Sequence, residues 1–199
     1  MGAWLSLISI LVAAASGAVK VPATGTSEIA PDGRIASAEW SDATRVALGE
    51  GVTLLIKAND EQIAIAVRTS ARGPQYTDLY LTAADGQVWN LHAEKQTSER
   101  KLTGETWTAT DPAFVAYNNA NWRANVVELK ANADPTAPMA KQVKPYDGQE
   151  FLITRSQFAG KAWHLRVEVH DLAQEKPDLV YPAVSDGHDA STWATVTLP

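Results

Sequence analysis

The chain has 199 residues, no cysteine and a formal net charge of −6 at pH 7. Without cysteine it can form no disulfide, thiolate metal site or thiol nucleophile, so an exported fold of this size must be held by its core alone. No cluster of Lys and Arg interrupts the negative charge, which makes nucleic acid and anionic membranes poor partners.

Residues 1–18 contain no Lys, Arg, Asp or Glu, and the apolar run at 5–15 is too short to cross a bilayer comfortably. Small residues at Ser16 and Ala18 indicate cleavage before Val19. We interpret residues 1–18 as a signal peptide, with an uncleaved anchor or a buried N-terminal strand as alternatives. The interpretation predicts a secreted or periplasmic protein of a bacterial envelope that is not inserted in the membrane after cleavage.

Residues 19–199 have the length of one domain, and their sequence is a series of short β-rich runs separated by turn residues. In chain order the runs are VTLLIKA, QIAIAVRT, YTDLYLT, QVWNLHA, TWTAT, WRANVVEL, EFLIT, WHLRVEV and WATVTL. At least eight strands at such spacing predict an all-β fold, an antiparallel sandwich with jelly-roll or immunoglobulin-like layers. Helix is limited to short turns near residues 37–43 and 155–160, and residues 131–148 and 173–191 are predicted loops.

The stretch PDGRIASAEWSDA, at residues 31–43, precedes the first long strand. Asp32 and Gly33 favour a turn, Ser37 is a suitable helix cap, and Trp40 falls at the third helical position, away from solvent. The pattern predicts a lid that places the Trp40 indole over one open end of the sandwich, so we expect a structural role for Trp40.

The hairpin YTDLYLTAADGQVWNLHA has two candidate registers, and its loop length decides between them. A two-residue turn at Asp85 and Gly86 would mix polar and apolar residues on both faces. A three-residue loop at residues 84–86, with Gly86 in the left-handed conformation, pairs Leu81 with Trp89. This register places the apolar and the polar residues on opposite faces. One face then carries Leu79, Leu81, Trp89 and Leu91, and the other carries Asp78, Tyr80, Asn90 and His92.

The second face combines an aromatic ring with an acid, an amide and an imidazole. Sugars bind such surfaces, because their C–H faces stack on aromatic rings while their hydroxyls bond to planar polar groups. We therefore take Asp78, Tyr80, Asn90 and His92 as candidate ligand-binding residues. The alternative is an ordinary polar outer face of an antiparallel sheet.

The run WHLRVEVHD alternates cleanly between apolar and polar residues. Trp163 lies on the apolar face, so we expect it in the core. His164 and His170 lie on the other face, and their separation along a strand is too long for both to bind one metal ion.

Several pieces of the sequence together resemble the family 9 carbohydrate-binding modules and their DOMON-like relatives. They are DG, AEW and DA at residues 32–43, VTLLIKANDEQIAIAVRT, EFLITRSQF, AWHLRVEV and the terminal STWATVTL, and the resemblance runs from about residue 29 to the end. It implies a β-sandwich that binds sugars, often a chain end, beside secreted glycan-degrading enzymes, and that often carries structural calcium. Within residues 19–199 we expect no catalytic module beside this domain.

Sugar-binding members clamp the ligand between two Trp rings, a pair that is not matched here residue by residue. The other tryptophans are therefore assessed by strand face, which leaves Trp107, Trp122 and Trp193 as candidate platforms. Trp122 shares a face with Ala124, as a core residue would, and Trp193 faces outward or lies under a loop. For calcium, the oxygen-rich loop SDGHDAS offers Asp186 and Asp189, with a solvated turn as the alternative.

We predict a monomeric module that binds a carbohydrate without catalysis and assists polysaccharide degradation. The sequence has no nucleophile elbow, no His pair at helical spacing and no phosphate-binding loop, and its acids form no recognisable acid/base pair. One alternative is a haem b protein, with Met139, Lys141, Lys144 or a histidine as axial ligand, although we expect no haem. Another is an envelope interaction domain, because Ala64 and Ala66 form a flat face that a partner could cover.

Overall fold

A computed structural model describes residues 18–24, 29–82, 85–110, 121–156, 158 and 162–199, without the side chain of Ala162. Nearly all of the predicted signal peptide lies outside the described residues. Within the described ranges, no helix has both the length and the apolar character that crossing a bilayer requires.

Almost all regular structure in these ranges is β. The strands are β1 (Val19–Lys20), β2 (Thr44–Gly49), β3 (Val52–Ala58), β4 (Gln62–Arg68), β5 (Gln75–Thr82), β6 (Val88–Ala93), β7 (Thr97–Thr103), β8 (Thr106–Ala109), β9 (Trp122–Ala124), β10 (Gly148–Thr154), β11 (Ala162–Asp171), β12 (Leu179–Tyr181) and β13 (Ala194–Thr197). One short α-helix, α1 (Met139–Gln142), and a 3₁₀ turn at Ala190–Thr192 interrupt the predicted loops.

The strands form two sheets, which confirms the predicted all-β sandwich. The larger sheet has the order β1-β13-β11-β5-β6-β7-β8, with β12 also paired to β11, and the smaller sheet has the order β2-β3-β4-β10-β9. Strand β1 runs parallel to β13, and the other strand pairs are antiparallel. Alternate residues of both sheets point inward and form one main core, as expected for stacked antiparallel sheets.

The predicted hairpin register is confirmed. Leu81 pairs with Trp89 and Leu79 with Leu91, and Gly86 has a φ of +82°, in the left-handed region. The apolar residues of this hairpin lie in the main core together with Trp163, which is fully buried, as predicted. The separation of apolar from polar residues onto opposite faces therefore predicted the correct register.

The N-terminal lid is placed differently from the prediction. Trp40 is fully buried, but it packs against Leu55, Ala64 and Ala66 on the outer face of the smaller sheet rather than over an open end of the sandwich. Residues 37–43 form hydrogen-bonded turns there, with Trp40 N donating to the Ala36 carbonyl at 3.2 Å. The flat alanine face that suggested a protein partner is thus covered by the chain itself.

Candidate functional site

The polar outer face of the larger sheet gathers side chains from three adjacent strands, β11, β5 and β6. Backbone register sets the polar residues in rows across the strands. The rows are Arg166–Tyr80–Asn90, Glu168–Asp78–His92 and His170–Tyr76. We call these eight residues the outer cluster.

Asp78 is the centre of this cluster and is 9% exposed. Its Oδ1 accepts a hydrogen bond from Asn90 Nδ2 at 2.8 Å and lies 3.1 Å from His92 Nδ1. Its Oδ2 lies 3.1 Å from His170 Nε2. The carboxylate is therefore held from both sides by groups of two neighbouring strands.

Glu168 lies beside Asp78 and is fixed in a similar way. Tyr80 donates its hydroxyl to Glu168 Oε2 at 2.7 Å, while Arg166 Nη1 lies 2.5 Å from Oε1. Arg166 is itself anchored, because its Nε donates to Ser185 Oγ at 3.0 Å. A loop outside the sheet thereby helps to position the carboxylate.

His170 connects the two carboxylates to a third. Its Nε2 lies 3.5 Å from Glu168 Oε2, and its Nδ1 lies 2.9 Å from Asp178 Oδ2. The ring stacks on Tyr76 at a centroid distance of 4.6 Å. Contacts on both nitrogens and one ring face leave this imidazole little rotational freedom.

The charges of the cluster shift the pKa values of its members. Burial alone would lower the pKa of His170, but its contacts with Asp78 and Glu168 raise that pKa to about 10. Burial would likewise raise the pKa of Asp78, yet His170 and His92 hold it well below its usual range. At neutral pH the cluster therefore contains ionised carboxylates around an imidazolium.

The predicted tryptophan platforms end up in three different environments. Trp107 is half-buried on β8, the edge strand, with ring centroids 5.5 Å from Tyr80 and 6.1 Å from His188. Trp193 is 2% exposed beneath the loop that precedes β13, and its Nε1 donates to the Asp186 carbonyl at 2.5 Å. Of the three, Trp107 alone is partly exposed.

Trp122 lies inside the sandwich and does not serve as a platform. It is 3% exposed, stacks on Phe151 in the main core and donates Nε1–H to Glu99 Oε2 at 2.8 Å. Its strand face, shared with Ala124, is an inward face of the smaller sheet. The prediction that this ring binds a ligand is therefore corrected by its burial.

The predicted cation loop uses its carboxylates for local turns. Asp186 Oδ1 accepts the backbone N–H of His188 at 2.8 Å, and Asp189 Oδ1 accepts both N–H and O–H of Ser191. These bonds are those of a solvated turn and a 3₁₀ cap. Neither aspartate joins a group of three such ligand side chains in the described ranges, and calcium binding by this pair stays a prediction.

The described contacts of Met139, Lys141 and Lys144 do not bring these candidate haem ligands together. Met139 and Lys141 lie in the exposed helix α1, and Lys144 forms an ion pair with Glu128. Among the carboxylates, Glu94 Oε2 lies 4.0 Å from His92 Nε2, and Asp111 lies outside the described residues. The absence of enzymatic activity stays a prediction.

The sequence interpretation missed four residues on or near β11, namely Arg166, Glu168, His170 and Asp178, and also Tyr76 of β5. The alternation in WHLRVEVHD placed the first three on one face, but nothing in the sequence identified β5 as the neighbouring strand. The distance between Asp78 and Glu168 along the chain hides their contact.

A concave surface lies at the β9 edge of the smaller sheet. It is an open groove of about 920 Å³, partly lined by the exposed Leu129. Its charged side chains are four basic residues, Arg34, Lys95, Arg123 and Lys144, and two acidic ones, Asp32 and Glu128. The groove is a rival location for any ligand.

Comparison with protein-family models, curated proteins and solved structures finds no significant match to this chain.

Proposed function

We propose that the chain is an exported, non-catalytic module that binds a carbohydrate on the outer face of its larger sheet. The observation that supports this most is the placement of a half-buried indole, Trp107, beside planar polar groups on one sheet face. The resemblance to family 9 carbohydrate-binding modules points the same way.

The polar part of this surface is rigid before any ligand arrives. Asn90 and His92 hold Asp78, and Tyr80 and Arg166 hold Glu168, so these groups need little ordering on binding. A preorganised surface loses less conformational entropy when it binds a small polar ligand. The side chain of His92 in this layer is 19% exposed.

The aromatic contact is assigned to Trp107 rather than to Tyr80. Arg166 lies over the Tyr80 ring at 4.9 Å, and Trp107 and Trp193 contact the ring edge-on. Tyr80 is therefore a support for the site. Trp107, on the sheet edge, can offer a ring face to the apolar side of a sugar.

The test is a glycan-array and calorimetric screen of the purified protein. One weak site of this kind should bind one glycan class with a dissociation constant between about 1 μM and 1 mM. The Trp107→Ala variant should lose binding while its melting temperature stays close to that of the parent. Leu129→Ala, which removes an exposed apolar side chain in the groove, is the matched control and should bind normally.

Two results would refute the assignment. Absence of binding to any glycan by the folded protein would reject the carbohydrate function. Retention of binding in Trp107→Ala together with its loss in Arg123→Ala would place the ligand in the groove instead.

A further inference from the structure

Three side chains of the outer cluster bring one possible ligand atom each into a small region. They are Oδ2 of Asp78, Oε2 of Glu168 and Nε2 of His170, and all three atoms lie within 4.8 Å of one another. The set combines an imidazole nitrogen with two carboxylate oxygens. Proteins use this donor combination for divalent metal ions.

We propose that Asp78, Glu168 and His170 bind a divalent transition-metal ion, with Zn²⁺ as the first candidate. The inference goes beyond the carbohydrate function and does not depend on it. The remaining coordination positions would be taken by water, because three protein ligands leave a zinc site open.

The spacing of the ligand atoms fits a small ion. With bonds of about 2.0 to 2.2 Å, the ligands of a tetrahedral zinc ion lie about 3.3 Å apart. Nε2 of His170 lies 3.1 Å from Asp78 Oδ2 and 3.5 Å from Glu168 Oε2, on either side of that value. A minor side-chain adjustment would therefore be enough to place an ion between them.

Each ligand residue is also held by a second group that leaves the ligand atom available. Asp178 contacts the other nitrogen of His170, while Asn90 and His92 occupy the other oxygen of Asp78. For Glu168, Arg166 occupies Oε1, and Tyr80 bonds to Oε2 as a single donor, which leaves that oxygen a lone pair. Metal-ligating histidines commonly donate their second N–H to a carboxylate, and ligating carboxylates are hydrogen-bonded in the same way.

The state of His170 Nε2 is a separate observation that points to a ligand. This atom is buried, yet it forms no well-aligned hydrogen bond, even though two carboxylate oxygens lie within 3.5 Å. Buried polar atoms are nearly always satisfied, so an unaligned one requires an explanation. A metal ion between the nitrogen and the carboxylates would displace the proton that His170 carries at neutral pH and would satisfy all three atoms at once.

The donor set also selects among ions. Calcium favours six to eight oxygen ligands, whereas imidazole suits zinc and other transition metals. We therefore expect Zn²⁺ to bind more tightly than Ca²⁺. Mn²⁺, which accepts carboxylate ligands readily, should bind more weakly than Zn²⁺, in line with the general affinity order of divalent metals.

The experiment uses the full chain, stripped with a chelator and titrated with ZnCl₂, MnCl₂ or CaCl₂ alone. Calorimetry should give one Zn²⁺ per chain, and Zn²⁺ should raise the melting temperature. The His170→Gln and Glu168→Gln variants should lose this binding. Asp178→Asn, which touches only the second nitrogen of His170, should weaken it by about 10- to 100-fold.

His188→Gln is the matched control, because it removes a histidine whose side chain is 51% exposed and lies outside the ligand set. It should bind Zn²⁺ like the parent. The ligand variants His170→Gln and Glu168→Gln are conservative, so that loss of Zn²⁺ binding in either one need not reflect misfolding. Near-ultraviolet circular dichroism checks the fold of each variant. Absence of Zn²⁺ binding to the folded parent, or equal binding by folded His170→Gln, would overturn the proposal.

Discussion

Trp40 and Glu150 meet beneath the N-terminal segment, where the indole Nε1 donates to Glu150 Oε1 at 3.0 Å. The other oxygen of Glu150 accepts the backbone N–H groups of Asp32 and Gly33, at 3.1 and 2.9 Å. One fully buried carboxylate of β10 thus holds the turn and the indole of the covering segment together. Hydrogen bonds across more than 100 residues of sequence fasten this segment to the smaller sheet.

At pH 8, where Glu150 is ionised, we expect Glu150→Gln to lower the free energy of unfolding by about 1 to 3 kcal/mol, because the amide cannot accept all three N–H groups. Its NH₂ group must face at least one of these donors. Chemical denaturation followed by tryptophan fluorescence measures the effect. A variant as stable as the parent would show that these bonds contribute little to stability.

The same carboxyl group predicts a pH dependence. Burial raises the pKa of Glu150 to about 7, although Trp40 and Gly33 oppose this by bonding to the carboxylate. The folded protein then binds the proton more tightly than the unfolded chain, whose Glu titrates near 4.5. Stability from this group should be present below about pH 4.5 and should be lost as pH rises to about 7, a total of about 3 kcal/mol.

Denaturation curves recorded at intervals between pH 4 and pH 8 give the slope of the free energy of unfolding against pH. The Glu150→Gln variant is the control, since it has no group that titrates at this position. Equal slopes in parent and variant would contradict the raised pKa.

Two tryptophans should differ sharply in their contribution to stability. Trp163 is fully buried and donates Nε1–H to the Phe158 carbonyl at 2.6 Å, so Trp163→Ala should cost about 3 to 5 kcal/mol. Trp107 is half-buried on an edge strand, so Trp107→Ala should cost much less. Thermal melts of both variants test the contrast, and a reversed order would place Trp107 in the core.

Gly148 should tolerate no side chain. A Cβ at this position would lie 2.0 Å from the carbonyl oxygen of Val67, on the neighbouring strand β4. Gly148→Ala should therefore disrupt the pairing of β10 with β4 and lower the melting temperature strongly, since backbone atoms cannot yield as a flexible side chain can.

Gly187→Ala is the matched control for this substitution. Its Cβ would meet only the end of the Arg166 side chain, at 3.5 Å. The melting temperature should therefore change little. A Gly148→Ala variant as stable as Gly187→Ala would contradict the close approach of β10 to β4.

The predictable part of the fold came from strand periodicity. Alternation separated Leu79 and Leu81 from Asp78 and Tyr80, and the strand register that preserves this separation is the observed one. Strand β7 was not predicted, because Thr97 and Glu99 break the apolar alternation while pointing inward. Glu99 is accommodated there by Trp122 Nε1, a partner that local sequence does not reveal.

By itself, the sequence determined the sandwich class, the hairpin register and the polar face of β5 and β6, because these depend on a two-residue periodicity and on turn chemistry. Only the tertiary structure decided which strand lies beside that face. Strand β11 brings Glu168 and His170 to Asp78, and the N-terminal segment covers Ala64 and Ala66. Both arrangements depend on contacts between segments far apart in the chain, where packing and burial of charge, rather than local residue pattern, select the neighbour.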